Sequence, residues 1–340
     1  MNTELNETAR QVFADHPAQI ADGWPAKLWS TLDELGLVRL GLAEDAGGSG
    51  GELADVATLL LAAGEAAAPV PLAETELAGW LLHEAGLTVP EGPLAVAIAG
   101  EDVRVSDGSV SGSLRRVGWA RHATRIAVLA TDAGSGSAVV LSVDPAQCEL
   151  EHGTNVAGEP RDNVTLGGAV ESAPAPAGTQ ELLARRAALL RSLLLAGACG
   201  RAVAQSVRYV GERIQFGRPL AKFQAVQQQL ALAAAESAAA RAAAEGGVRV
   251  AAAGGFGGPQ AGLAVASAKA RSSEAAGTVA RIAHQVHGAI GFTLEHELRL
   301  STTRLWSWRE EDGSDAHWNS LIGRQALAEG ADGLWPLLTS

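Results

Sequence analysis

The stretch YVGERIQFGRPLAKFQAVQQQLA, Tyr209 to Ala231, is where the chain declares its architecture. A helical pattern closes near Phe216-Gly217, and a second one opens after Pro219. Upstream, ELLARRAALLRSLLLAGACGRAVAQSVRYVGERI repeats leucine and alanine at three- and four-residue spacing, the signature of a helix with one apolar face. Downstream, QQQLALAAAESAAARAAAEGG continues the helical theme with small side chains that let helices approach closely. The glycine-rich loop AAAGGFGGPQAG then divides the second long helix of this region from the third. A packed C-terminal four-helix bundle over residues 173–340 is the expectation.

Moving outward, the texture changes twice. From the start to residue 88 the pattern is helical, with apolar stripes at Leu28, Leu32, Leu35 and Leu37 and at Val56, Leu59, Leu60 and Ala63. Between these stripes, AEDAGGSGGE supplies a turn, and Ser49 is placed to cap the helix that follows. Residues 89–172 carry short apolar runs, PLAVAIA, RIAVLA, AVVLSV and NVTLGG, separated by turn residues. No helical pattern separates these runs, which predicts a small antiparallel β-barrel domain in the middle of a mostly α chain. ESAPAPAGTQ, rich in alanine and proline, reads as a linker.

Composition narrows the function. The chain has 340 residues, 47% of them hydrophobic, enough for a sizeable core. A net charge of −12, with no basic run, disfavours nucleic acid as a partner. Cys148 and Cys199 form no CxxC pair and suggest neither a disulfide framework nor a cysteine zinc site. His284, His287 and His296 match no zinc-ligand spacing, so no metal is expected. No membrane span and a cytoplasmic location are the corresponding expectations.

The Tyr209–Ala231 segment resembles a signature of the acyl-CoA dehydrogenase family. The resemblance implies that Arg213 and Phe216 of its ERxQFG-like element meet FAD, with Gln224 contributing to the same site across a dimer interface. An arginine suits a pyrophosphate because its planar fork donates two hydrogen bonds. QVHGAIGFTLEHELRL, Gln285 to Leu300, is similar to the family's QxxGGxGF element, with Gln285, Gly288 and Ala289 toward the diphosphate and adenosine and Ala289 in place of the usual second glycine. LWSTLDELGLVRLGLAEDAGGSGGELADVATLLLAAGEAAAPVPLAET, Leu28 to Thr75, extends the resemblance to the N-terminal region. In the middle, VSGSLRRVGWARHATRIAVLA is similar to the strand pair that covers the flavin, whereas the TExxxGSD-type loop is missing.

The family implies a base that takes the α-proton of an acyl-CoA thioester while the β-hydrogen passes to FAD as hydride. One known base position is an EGTxxxQ-like turn near the C-terminus. REEDGSDAHWNSLIGR places Asp312 there, with Glu311 as fallback. The other lies on the earlier helix, where Arg185-Arg186-Ala187 stands and no carboxylate occurs from Leu182 to Gly211. By resemblance the partners are acyl-CoA, an electron-transferring flavoprotein, and further copies in a homotetramer or a heterotetramer with a second acyl-CoA dehydrogenase subunit. A non-catalytic partner subunit and a flavin oxidase or oxygenase are the alternatives.

Overall fold

The computed structural model describes residues 2–18, 23–106, 108–293 and 295–339. The first helices are α1 (Thr3–Asp15), α2 (Ala26–Glu34), α3 (Leu53–Ala66) and α4 (Leu72–Glu84). Asn2 caps α1, its Oδ1 accepting from Leu5 N at 3.3 Å. Ser49 does not cap α3. Its hydroxyl donates instead to Gly36 O at 2.7 Å, closing the loop between α2 and α3, while Glu52 N at the start of α3 donates to Asp55 Oδ2.

Among the described residues eight strands follow: β1 (Leu94–Ile98), β2 (Arg104–Ser106), β3 (Ser109–Gly118), β4 (Arg125–Thr131), β5 (Ala138–Val143), β6 (Glu149–Glu151), β7 (Arg161–Ala169) and β8 (Glu171–Pro174). They form two four-stranded sheets, β1-β4-β5-β8 and β2-β3-β7-β6, rather than one closed barrel. Pairing is antiparallel except between β1 and β4, which run parallel. The presumed linker ESAPAPAGTQ contributes β8, whose residues Glu171 to Pro174 pair with Ser142 to Val139. As an edge strand it tolerates a proline, because one side of its backbone needs no ladder partner.

The C-terminal region holds α5 (Thr179–Glu212), a two-stranded hairpin of β9 (Ile214–Gln215) and β10 (Arg218–Pro219), α6 (Gln224–Gly254), α7 (Pro259–His287), α8 (Leu298–Trp308) and α9 (Asp315–Thr339). The glycine loop between α6 and α7 lies where the sequence puts it. Helix α9 is kinked at Gly330, whose backbone is non-helical.

By packing, the described residues form two compact units. One comprises Met1–Asp22, Ala57–Ala68 and Ala188–Ser340, and the other Gly23–Val56 and Pro69–Ala187. The first is helical. Its α3 and α5 segments approach so closely that a Cβ at Gly64 would collide with the Leu194 carbonyl, and one at Gly197 with the Leu61 carbonyl. Much of the apolar stretch of α5, long enough to cross a membrane, is covered by the chain itself, as in the core helix of a globular protein.

In the second unit the apolar residues of the two sheets, among them Val105, Leu114, Ile126, Val128, Leu141 and Val164, share one core. Helix α4 packs on β1, β4 and β5. That cover buries both faces of β4, which explains its continuous apolar run in place of alternation. Leu94 N donates to Thr75 Oγ1, joining α4 to β1. Each fully buried leucine or isoleucine here contributes about 1.5–3 kcal/mol.

Candidate functional site

At one end of the helical bundle the chain reverses between α5 and α6. Phe216 and Gly217 form the two-residue turn of the β9–β10 hairpin, both with positive φ, 52° and 78°. That is the I′ geometry which suits a tight hairpin, and it is costly for phenylalanine. The ring does not hide in a core. Phe216 is 88% exposed and meets Phe223 in a T-shaped ring contact, and Arg218 stacks over Phe223 at 4.2 Å. Arg213 and Gln224 flank the hairpin and are also exposed.

Helices α6 and α7 are joined by a short loop and pack along each other, so the C-terminus of α7 returns to the end where α6 begins. A ring contact ties α7 to α5 at this level, with Tyr209 stacked on His287 at 4.3 Å. The two segments singled out in the sequence are thereby brought to one end of the bundle. Gln285, Gly288 and Ala289 are exposed there. Gly288 ends α7 at φ 64°, and the space where a Cβ would stand is open. Ala289 lies in the following 3-10 turn with negative φ, so its backbone has no need of a glycine.

Beneath this surface the histidines pack as rings. His284 is stacked between Phe292 and Trp306, and its Nε2 shares a hydrogen bond with Thr302 Oγ1 at 2.9 Å. His287 donates from Nδ1 to Ala283 O at 2.7 Å and meets His296 edge-on. Burial lowers the pKa of both His284 and His287. Among the described residues no group of three His, Cys, Asp or Glu side chains is placed to hold a metal.

The carboxylates lie elsewhere on the bundle. Asp312 sits in the turn between α8 and α9 in the left-handed region, φ 56°, followed by Gly313 at 90°. Arg191 of α5, itself buried, donates from Nε to Asp312 Oδ2 at 2.8 Å and lies 3.6 Å from Glu311 Oε2. Under the turn is Lys269 of α7, fully buried, with Nζ donating to Ser273 Oγ at 2.9 Å, Arg309 O at 3.1 Å and Gly313 O at 2.6 Å. Burial brings this ammonium down to about 8, an effect that Asp312 opposes. Lys269 lies eighteen residues before His287 on α7, roughly 27 Å of helix. The turn and the Arg213–Ala289 surface are therefore at different levels of the bundle.

In the other unit the two strands expected to pair over a flavin, β3 and β4, fall in different sheets, β3 beside β2 and β7 and β4 between β1 and β5, so they do not form a pair. A bulge between Leu114 and Val117 sets Arg116 at φ 54°, and Trp119 follows at 61°. Asp162, fully buried, accepts from Arg121 N and Nε at 2.9 and 3.0 Å and from Gly153 N at 3.1 Å. Burial works against its ionisation, but the bonds from Arg121 and Gly153 outweigh it and hold the carboxyl below the ordinary range. Arg161 and Glu159, both buried, pair at 3.2 Å, and Trp24 stacks on His122 beside Trp29 and Trp119. On α4 of the same unit, buried Glu76 accepts from Gly41 N at 2.8 Å, and desolvation pushes its carboxyl up to about 7.

Residues 2–88 match the N-terminal domain of acyl-CoA dehydrogenases, and residues 179–327 match their C-terminal domain. The chain belongs to the acyl-CoA dehydrogenase family. Members of this family are oxidoreductases acting on CH–CH bonds. Acyl-CoA dehydrogenase IpdE2 of Mycolicibacterium smegmatis is 29% identical over 82% of this chain and 81% of its own length. Among solved structures, a Tcur3481-Tcur3483 steroid ACAD variant superposes with a TM-score of 0.80 and 26% identity, covering 97% of this chain and 98% of that one. The ChsE4-ChsE5 complex from Mycobacterium tuberculosis gives a TM-score of 0.84 at 22% identity, covering 96% and 97%. The C-terminal match contains the Tyr209–Ala231 segment and the N-terminal match contains Leu28–Thr75.

Proposed function

We propose that the chain is a subunit of an FAD-dependent acyl-CoA dehydrogenase that carries out α,β-dehydrogenation of an acyl-CoA thioester and passes electrons to an electron-transferring flavoprotein. One arrangement carries this reading: Arg213, Phe216, Gln224, Gln285, Gly288 and Ala289 share one exposed bundle end, roughly 27 Å along the helix from the Asp312 turn. The exposed guanidinium, amides and open glycine backbone suit the diphosphate and adenosine of FAD. Arg213 would hold the diphosphate, Gln224 and Gln285 would orient the cofactor, and Phe216 would pack on it. FAD, when bound, supplies the acceptor for the β-hydride.

The separation suits a site built by two subunits, in which the bundle end of one chain completes a pocket whose carboxylate turn belongs to another. In such an assembly Asp312 takes the α-proton, with Glu311 as fallback, and Arg191 fixes the direction of its carboxylate. The likeness to a steroid ACAD supports a bulky, steroid-derived acyl group as one substrate class to try first.

A second reading, a partner subunit that contributes to the flavin site but not the proton transfer, is favoured by two observations. Arg191 engages Asp312 directly, and in the β unit β3 and β4 lie in different sheets while Arg121 and Arg161 are taken up by Asp162 and Glu159. The ChsE4-ChsE5 complex supports a heteromeric assembly of this kind. Asp312→Asn in the intact assembly separates the two. If Asp312 is the base, flavin reduction by acyl-CoA slows by roughly two to four orders of magnitude while acyl-CoA still binds. Reduction at the wild-type rate assigns this chain the partner role.

A further inference from the structure

We propose that Lys269 is a positioning residue for the carboxylate turn, fixing the backbone on both sides of Asp312 from inside the bundle. The inference rests on the reading of Asp312 as the base. Lysine is almost never fully buried without a purpose for its charge, and here all three ammonium hydrogens are used. Two go to Arg309 O and Gly313 O, the carbonyls that bracket Glu310, Glu311 and Asp312, and the third goes to Ser273 Oγ. Ser273 Oγ in turn donates to Arg309 O at 3.2 Å.

The turn needs such a clamp. Asp312 holds a left-handed backbone that an ordinary side chain avoids, and a conformation of this kind persists only where its surroundings over-determine it. Trp318 of α9 adds a further bond, Nε1–H to Asp312 O at 2.9 Å, while Arg191 meets the carboxylate from α5. The backbone of the turn is thus set from below by α7 and from the side by α9, and the carboxylate is set from α5. A methionine would fill the space of Lys269 without these bonds, leaving the turn able to shift. A displacement of about 1 Å at a reacting group costs on the order of a hundredfold in rate.

The test compares Lys269→Met, Trp318→Phe and Asp312→Asn in the assembled flavoprotein, reading FAD content, acyl-CoA affinity and the rate of flavin reduction separately. Expected for Lys269→Met is a fall in rate of about 10- to 100-fold with FAD content and acyl-CoA affinity within about twofold of wild type. A merely structural role would lower the content of folded, flavin-loaded enzyme and leave the rate per bound flavin unchanged. Trp318→Phe, which keeps an aromatic side chain and removes the Nε1–H bond, is expected to lower the rate in the same direction by a smaller factor, and it serves where Lys269→Met does not fold. Wild-type rates in the Lys269 or Trp318 variant that folds, with Asp312→Asn slow, overturn the positioning role and leave Asp312 as the base. A wild-type rate in Asp312→Asn overturns both.

Discussion

The bundle end of the helical unit and the buried charged cluster of the β-containing unit spend their charged side chains in opposite ways. In the helical unit Arg213, Phe216, Gln224 and Gln285 face outward at the bundle end, and Phe216 even accepts a strained backbone there. In the β-containing unit Arg121, Asp162, Arg161 and Glu159 turn inward and pair with one another. Exposed groups are available to a ligand or another chain, whereas buried charged groups pair off. The difference supports the proposal that the functional surface of this chain lies in the bundle and that the buried pairs of the β unit serve stability.

Substitutions sharpen that division. Asp162→Ala strips the acceptor from Arg121 and Gly153 in a buried pair and should lower stability by about 3 kcal/mol or more, measured by chemical denaturation. The flavin affinity of the fraction that remains folded should not change. Because the native Asp162 carboxyl is held below its ordinary range, the stability it supplies is present above that range and is lost as pH falls through the native value.

Glu76→Gln has a smaller effect of opposite sign. The native carboxyl, at about 7 against an ordinary 4.5, holds its proton more tightly than the unfolded chain does, so wild-type stability falls as pH rises through 7. Glutamine keeps the acceptor for Gly41 N without a charge to bury. The variant's advantage over wild type should be about 2 kcal/mol larger at pH 8 than at pH 5, by thermal melts at both values. A stabilisation independent of pH would contradict burial of an ionisable carboxyl at this place.

Much of this was legible in the sequence, and the exceptions have physical reasons. Helices α5 to α7 and strands β1, β4, β5 and β7 follow from periodicity and apolar runs, because each is decided by residues a few positions apart. Strand β8 was hidden by its proline and short length, and the parallel β1–β4 pair by the β2–β3 excursion that separates them. The exposed bundle-end residues were legible as motifs. Arg191 and Lys269 were not, since their partners lie 121 and about 40 residues away and neither belongs to a local pattern. Ser49 was misread because a capping serine and a loop-closing serine look alike until the carbonyl of Gly36 is in place.

The claim that the bundle end carries the cofactor is tested most directly by FAD retention in the purified assembly, wild type beside Arg213→Ala. Arg213 is exposed and fills no core site, so its loss should leave the helical content by circular dichroism unchanged. Removing a cation hydrogen-bonded to a phosphate costs about 1.5–3 kcal/mol. The account predicts that FAD affinity, read from the visible flavin absorbance during titration, falls roughly 10- to 100-fold. Equal FAD affinity in the two proteins would contradict it.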